Sequence, residues 1–399
     1  MSQGAGNNTT NSSSTQSTTT TQTATTQSTN QLRRWAQAIR RAIFRQDDEG
    51  AVRLIQPRAK ALLDDSGPSA ILLHPRNTRV AKLPITIRWT EAAESRGSEE
   101  DPIVEYQLCI LHPTNGLIQQ SLPVDDVQRQ SHPQSAGYLV CESIISASYA
   151  DQLEAGETYR VYMAVRRQSD APTCYQCYPD ETNNQFTILS EGLQSDFTQR
   201  QAQIDATWPE PFINQLFSAR LCSDCELWGD AIATYEQILN QHKSTDTSIL
   251  LWGVDLTAQI HVTLGSLYQK IGLKTLAHDT YLQALATITV RAEQPDVYAQ
   301  VLLNMGYQYY VDLDYEKALE NFQAMMPIVT TSDFVNSLLH GMAELGLGLV
   351  YANGSNTKND PQAETHLVAA IPILAKSGSK VALTLAEKEL KWVRKRLHN

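Results

Sequence analysis

The sequence predicts a multidomain α and β chain, an antiparallel β-sandwich followed by an array of α-helical pairs. Two observations predict it. From about residue 69 to 190, apolar and polar residues alternate at period two, the spacing of half-buried strands. From about Trp208 onward the period is helical, and a set of small and aromatic residues recurs. With 399 residues, 42% of them hydrophobic, the chain is long enough for two or three domains with their own cores.

Residues 1–31 are almost entirely Ser, Thr, Gln, Asn and Gly, too polar to offset the entropy of ordering, and are expected to be a disordered tail. Residues 32–68 are read as an amphipathic helical segment. Leu32, Trp35, Ala36, Ile39 and Ile43 share a helical stripe, and Arg33, Arg34, Arg40, Arg41 and Arg45 lie mostly opposite. The stretch 32–45 suits packing onto the protein itself, with peripheral docking on an anionic membrane or a partner as the alternative. A second helical stretch, Ala51 to Leu63, follows.

In the region 69–190, Ile85, Ile87 and Trp89 alternate with Thr86 and Arg88. Val104, Tyr106, Leu108 and Ile110 do the same, as do Tyr159, Val161, Met163 and Val165, and Phe186 and Ile188 close the series. Turn residues such as Asn115-Gly116 and Asp180 separate the runs. The stretch Leu153-Glu-Ala-Gly156-Glu-Thr-Tyr159-Arg-Val161 resembles the tyrosine corner of fibronectin type III domains, and Trp89 matches the buried Trp of that fold. The resemblance covers roughly 120 residues. It implies a sandwich that binds or spaces and does not catalyse.

The region 191–378 carries the repeats. Leu264-Gly265-x-x-Tyr268, Gly272, Ala277, Tyr281 and Ala284 resemble the tetratricopeptide repeat. Met305-Gly306-x-x-Tyr309 with Ala318 and Phe322 repeats the pattern. Leu347-Gly348-x-x-Tyr351 with Ala363, Leu367 and Ala370 gives a third copy. An earlier one, Trp228, Ala231 and Tyr235, has Ser218, Ala219 and Cys222 where Leu, Gly and Tyr are usual. The alanines at 231, 277 and 318 are 46 and 41 residues apart, against about 34 for the regular repeat. Longer loops around His242–Ser248 and Arg291–Asp296 are expected to absorb the excess. Residues 379–399 read as a capping helix, polar on one side through Lys388, Lys391, Arg394, Lys395 and Arg396.

The tetratricopeptide resemblance implies a helical solenoid whose concave groove holds a protein or peptide partner. It places Gln259, Val262, Ser266 and Gln269 in that groove, then Gln300, Leu303, Asn304, Tyr307 and Tyr310, then Met342, Leu345 and Leu349. Val262 and Leu303 stand where some members carry carboxylate-binding lysines, and Ser266 and Tyr307 replace their asparagines. Only Asn304 is clamp-like, so an apolar helix or extended peptide is expected in place of a captured C-terminal carboxylate. The competing expectation is that these side chains pack against the flanking helices.

Net charge is −11, which argues against nucleic acid as a partner, since phosphate binding needs a clustered basic surface. No apolar run reaches the roughly 18 residues of a membrane span. No charge precedes Arg33 and no apolar core stretch opens the sequence, so a cytoplasmic location is expected. An envelope or surface-associated adhesion module with a missed leader is the alternative.

Two CxxC pairs, Cys174/Cys177 and Cys222/Cys225, have the arrangement of a four-thiolate zinc site or a redox pair, although the gap between them exceeds the usual 15–20 residues. A zinc- or redox-responsive adaptor is thus a rival, and inert thiols are the simpler expectation. The nine histidines are scattered, no phosphate loop occurs, and Glu99, Glu100 and Asp101 sit in a hydrophilic loop. The chain is therefore expected to be non-enzymatic, with no cofactor.

Overall fold

The computed structural model describes residue 44 and, with gaps, residues 71–398; the gaps are 82–84, 93–101, 113–115, 132–137, 172–175, 178–183, 244–249, 252–253, 289–293 and 332–336. The expectations for 1–31, for 32–68 apart from Phe44, and for Glu99, Glu100, Asp101, Asn115, Cys174 and Asp180 lie outside the described residues.

Among the described residues, an N-terminal β region is followed by ten helices. The strands are β1 (Ile71–His74), β2 (Thr78–Val80), β3 (Thr86–Ala92), β4 (Ile103–His112), β5 (Gly116–Pro123), β6 (Gln128–Ser131) and β7 (Tyr138–Ile144). A short helix α1 (Ala147–Ala150) precedes β8 (Thr158–Arg167), β9 (Gln176–Cys177) and β10 (Gln185–Ile188). They form two sheets, ordered β1-β3-β7-β6 and β2-β10-β8-β4-β5, with β9 also on β8. Among the described strands only β2 and β10 pair in parallel.

Period-two patterning explains which side chains point inward. Tyr106, Leu108 and Ile110 are buried opposite Val165, Met163 and Val161. Val104 leaves the pattern because the register slips between Ile103 and Glu105, leaving it half-buried at an irregularity. The two sheets feed one apolar core, in which Trp89 of β3 meets Tyr106 of β4 at a ring separation of 5.0 Å. Tyr159 is buried, and its hydroxyl accepts the Glu154 backbone N–H at 2.7 Å, fixing the turn that leads into β8.

The helices are α2 (Glu191–Thr207), α3 (Pro211–Asp224), α4 (Trp228–Lys243), α5 (Thr257–Lys270), α6 (Lys274–Thr287), α7 (Pro295–Val311), α8 (Tyr315–Val329), α9 (Leu338–Asn353), α10 (Asp360–Ser377) and α11 (Lys380–Leu397). Two short paired strands, β11 (Leu250–Leu251) and β12 (Val254–Asp255), lie between α4 and α5. Capping residues fix several starts. Glu210 accepts from the Phe212 and Ile213 N–H groups, Asp314 from Lys317, Ser337 from His340 and Asn359 from Gln362.

Three pairs turn in the same way. Between α3 and α4, α5 and α6, and α7 and α8, one residue takes a left-handed conformation: Glu226 (φ 61°), Gly272 (φ 87°) and Leu313 (φ 65°). The next N–H then bonds back across the turn, Leu227 to Cys222, Leu273 to Tyr268 and Asp314 to Tyr309, at 2.8–2.9 Å. Of these turns only Gly272 advertises itself in sequence, because Glu and Leu seldom take positive φ.

Within the pairs, glycine lets the helices close. A Cβ on Gly265 would lie 2.5 Å from the Tyr281 ring, one on Gly306 2.8 Å from Phe322, and one on Gly348 2.7 Å from Leu367. Phe322 also lies over Gly346 of the next pair, so one ring is clasped by two glycines. Among the described residues, no helix is long and apolar enough to cross a membrane.

This packing predicts the effect of Gly306→Ala. Its methyl meets the Phe322 ring, and overpacking of this kind costs about 1–3 kcal/mol in urea unfolding, partly recovered by adding Phe322→Leu. An unchanged midpoint would mean that the ring yields freely.

Candidate functional site

The β region and the helices join through a short stretch of chain. Residues 74–79 sit on the left-handed turns of the first two helix pairs. The Arg76 Nε and the Asn77 side-chain amide both donate to the Ile271 carbonyl, at 2.8 and 3.3 Å. The Arg79 N–H and the Thr78 hydroxyl donate to the Glu226 carbonyl, at 2.9 and 3.1 Å. His74 packs on the bare backbone of Gly229, where any Cβ would collide with its ring. Burial, and then the Arg88 charge, lower the His74 pKa to about 3, so the imidazole is neutral.

Beside this contact lies a buried ion pair. Arg88 projects from β3 away from the sheet core, and its guanidinium donates to Glu236 of α4 at 2.5 Å. The other Glu236 oxygen accepts the hydroxyl of Tyr268 from α5, also at 2.5 Å. Burial alone would push the Arg88 pKa down, but Glu236 more than offsets it, leaving the guanidinium above its ordinary value. Burial, reinforced by the Glu236 charge, holds the Tyr268 hydroxyl well above its ordinary pKa and protonated. Three elements from both regions thus share one desolvated network. Arg88 sits between Ile87 and Trp89, a position that reads in sequence as solvent-facing, so nothing there announced the pair.

Next to the network a cleft of about 710 Å³ opens between α2, α4 and the first sheet. Phe197 and Gln201 of α2, Gln237 and Asn240 of α4, and Arg88 and Glu142 of the sheet line it. Cys222 also borders the cleft, and burial pushes its thiol up, so it stays protonated and unreactive.

The twelve residues expected in a groove are placed as follows. Gln259, Val262, Gln269, Leu303, Asn304, Tyr307, Met342, Leu345 and Leu349 are buried, whereas Ser266, Gln300 and Tyr310 are partly exposed. Several link successive helix pairs. Asn304 donates to the Ser266 hydroxyl at 3.1 Å, Gln269 to Gln308 at 3.2 Å, and the Tyr307 hydroxyl to the Met342 carbonyl at 2.8 Å. The Tyr310 hydroxyl accepts from Asn353 at 3.1 Å, and the Tyr281 hydroxyl donates to Gln269 at 2.7 Å. The structure therefore brings these positions together along α5, α7 and α9, with most of them engaged between helices.

Cys222 and Cys225 are free thiols, the first buried and the second partly exposed near Arg200. The side chains of Cys174 and Cys177 lie outside the described residues. Among the described residues, no group of three or more His, Cys, Asp or Glu side chains could hold a metal ion.

The described residues form two parts, a β region and a helical region, joined through the stretch 74–79 and the buried Arg88–Glu236–Tyr268 network. A comparison with protein-family models finds no match, and a comparison with curated proteins finds no significant similarity.

The network predicts unequal losses. Glu236→Ala leaves buried Arg88 with only the longer contact to Glu142, at 3.8 Å, and costs about 3–5 kcal/mol of unfolding free energy. Tyr268→Phe removes one hydrogen bond to a charged group and costs about 1.5–3 kcal/mol. Urea unfolding measures both, and equal or negligible losses would contradict the assignment.

Proposed function

We propose that the chain is a non-enzymatic protein–protein interaction scaffold. In this reading the helical region is a tetratricopeptide-type solenoid, and the β region is a fibronectin III-like sandwich fixed against its first two helix pairs. A partner helix or extended peptide then lies along the inner face formed by α5, α7 and α9.

The observation that carries the reading is the recurrence of one packing device. Gly265 under Tyr281, Gly306 under Phe322 and Gly348 under Leu367 hold three successive pairs by the same contact. The matching turns at Glu226, Gly272 and Leu313 repeat with the alanines, at the same separations of 46 and 41 residues. Units that repeat in this way stack, and each leaves an apolar face for its neighbour to cover. Trp89 at the centre of the β core and the Tyr159 bond to the Glu154 backbone support the sandwich reading.

The surface offered to a partner is narrower than the sequence pattern alone suggests. Ser266, Gln300 and Tyr310 keep accessible atoms, a mixture of hydroxyl, amide and aromatic groups suited to peptide contact.

Affinity capture from the native cell tests the proposal. Gln300→Arg combined with Tyr310→Ala is expected to weaken retention of the bound partner by about tenfold or more, with the circular-dichroism spectrum unchanged. Leu282→Arg, at an exposed position of α6, should leave retention intact. Full retention by the double variant would overturn the proposal.

A further inference from the structure

Helix α11 packs on the rest of the helical region through one side only. Ala382, Ala386, Leu390 and Val393 are buried there, and at 3.6 residues per turn they share one face. The opposite face holds Lys380, Thr384, Lys388, Lys391 and Lys395, all exposed, within about 80° of the helix circumference. Trp392 borders this stripe and is 52% exposed. Lys388 stands one turn before it, and the Lys395 ammonium lies over its ring, 5.5 Å from the centroid.

Charge is divided between the two sides. Arg394 pairs with Glu364 at 2.7 Å and Arg396 with Asp360 at 2.6 Å, so both arginines are turned to α10. Among the described residues these are the ion pairs of α11, and its four lysines make none. Lysines elsewhere in the helical region are matched, Lys274 by Asp312 and Lys317 by Asp314. Of the two acids in α11, Glu387 stands at the margin of the stripe, and Glu389 lies toward Tyr310 and Arg396. A face kept only for solvation mixes both signs. This one shows a single sign beside an exposed indole.

We propose that the lysine face of α11 is a docking surface for an anionic phospholipid bilayer. The inference goes beyond the scaffold reading and does not rest on it. Charge complementarity argues the occupant. Helix α11 carries six basic and two acidic residues, a net +4, against −15 on the remainder of the chain. Repulsion between that remainder and an anionic surface is screened beyond about 8 Å at physiological salt. The lysines come into contact, where each strengthens binding by about fivefold.

Shape argues for a bilayer over a polypeptide. The ammonium groups stand on a convex ridge about 22 Å long, which a plane of headgroups meets along its whole length. One helix offers no pair of walls to hold a peptide. Lysine stems can lie against the surface while their heads stay among the phosphates. Trp392, at the edge of the ridge, is the residue type that settles at headgroup level.

Flotation of the full-length protein with phosphatidylcholine vesicles, with and without phosphatidylserine, tests this. The protein should float with the phosphatidylserine vesicles at low salt, not with phosphatidylcholine alone, and be released as salt rises. Lys388→Gln with Lys391→Gln and Lys395→Gln should weaken binding by about a hundredfold, with the unfolding midpoint unchanged. Arginine at the same three positions should preserve it. The fluorescence that Trp392→Phe removes should shift to the blue when vesicles are added. Gln300→Arg with Tyr310→Ala should leave flotation intact, which separates this inference from the scaffold reading. Absence of flotation, flotation retained by the glutamine variant, or equal flotation without phosphatidylserine overturns the proposal. So does tighter binding to polyglutamate or duplex DNA than to vesicles, which would assign the face to an acidic polypeptide or to nucleic acid.

Discussion

The rings of Tyr281 and Phe322 lie on bare glycine backbone, and the spacing of the helices follows from that contact. A side chain at Gly265 or Gly306 would hold the two helices of a pair apart. Close approach aligns the rest of each first helix so that Asn304 meets Ser266, Gln269 meets Gln308, and Tyr307 meets the Met342 carbonyl. The last two of these bonds are buried, so each would be costly to leave unmade. The helical region is held by a repeated apolar contact and kept in register by polar ones.

The β region depends on the same repetition. Its stretch 74–79 binds carbonyls exposed by the turns at Glu226 and Gly272, which exist only because each pair closes in the same way. Arg88, Glu236 and Tyr268 then fix the rotation of the sheet against α4 and α5. Burying a charge there is tolerable because guanidinium, carboxylate and phenol satisfy one another. With His74 neutral on Gly229, its imidazole adds no charge to the contact.

Much of this architecture was legible in the sequence, because burial imposes periods. The alternation of Tyr159, Val161, Met163 and Val165, and the recurrence of Gly265 and Gly306 before Tyr281 and Phe322, each record one side chain's neighbours. What the sequence did not disclose is where elements distant in the chain meet. Arg88 reads as a surface residue until α4 covers it. Glu226 and Leu313 give no hint of a left-handed turn, since neither has glycine's freedom. The positions expected in a groove follow from one helix at a time, whereas burial of Val262 and Leu303 is a property of the whole assembly.

The central claim is that the inner side of α5, α7 and α9 is a surface for polypeptide. A photo-crosslinking scan in the native cell tests it most directly, with the crosslinker placed in turn at Ser266, Gln300 and Tyr310, and at the outward Leu282, Gln323 and Val368. The account predicts peptide adducts at the first three positions and none at the last three. Adducts confined to the outward positions, or equal at both, would contradict it.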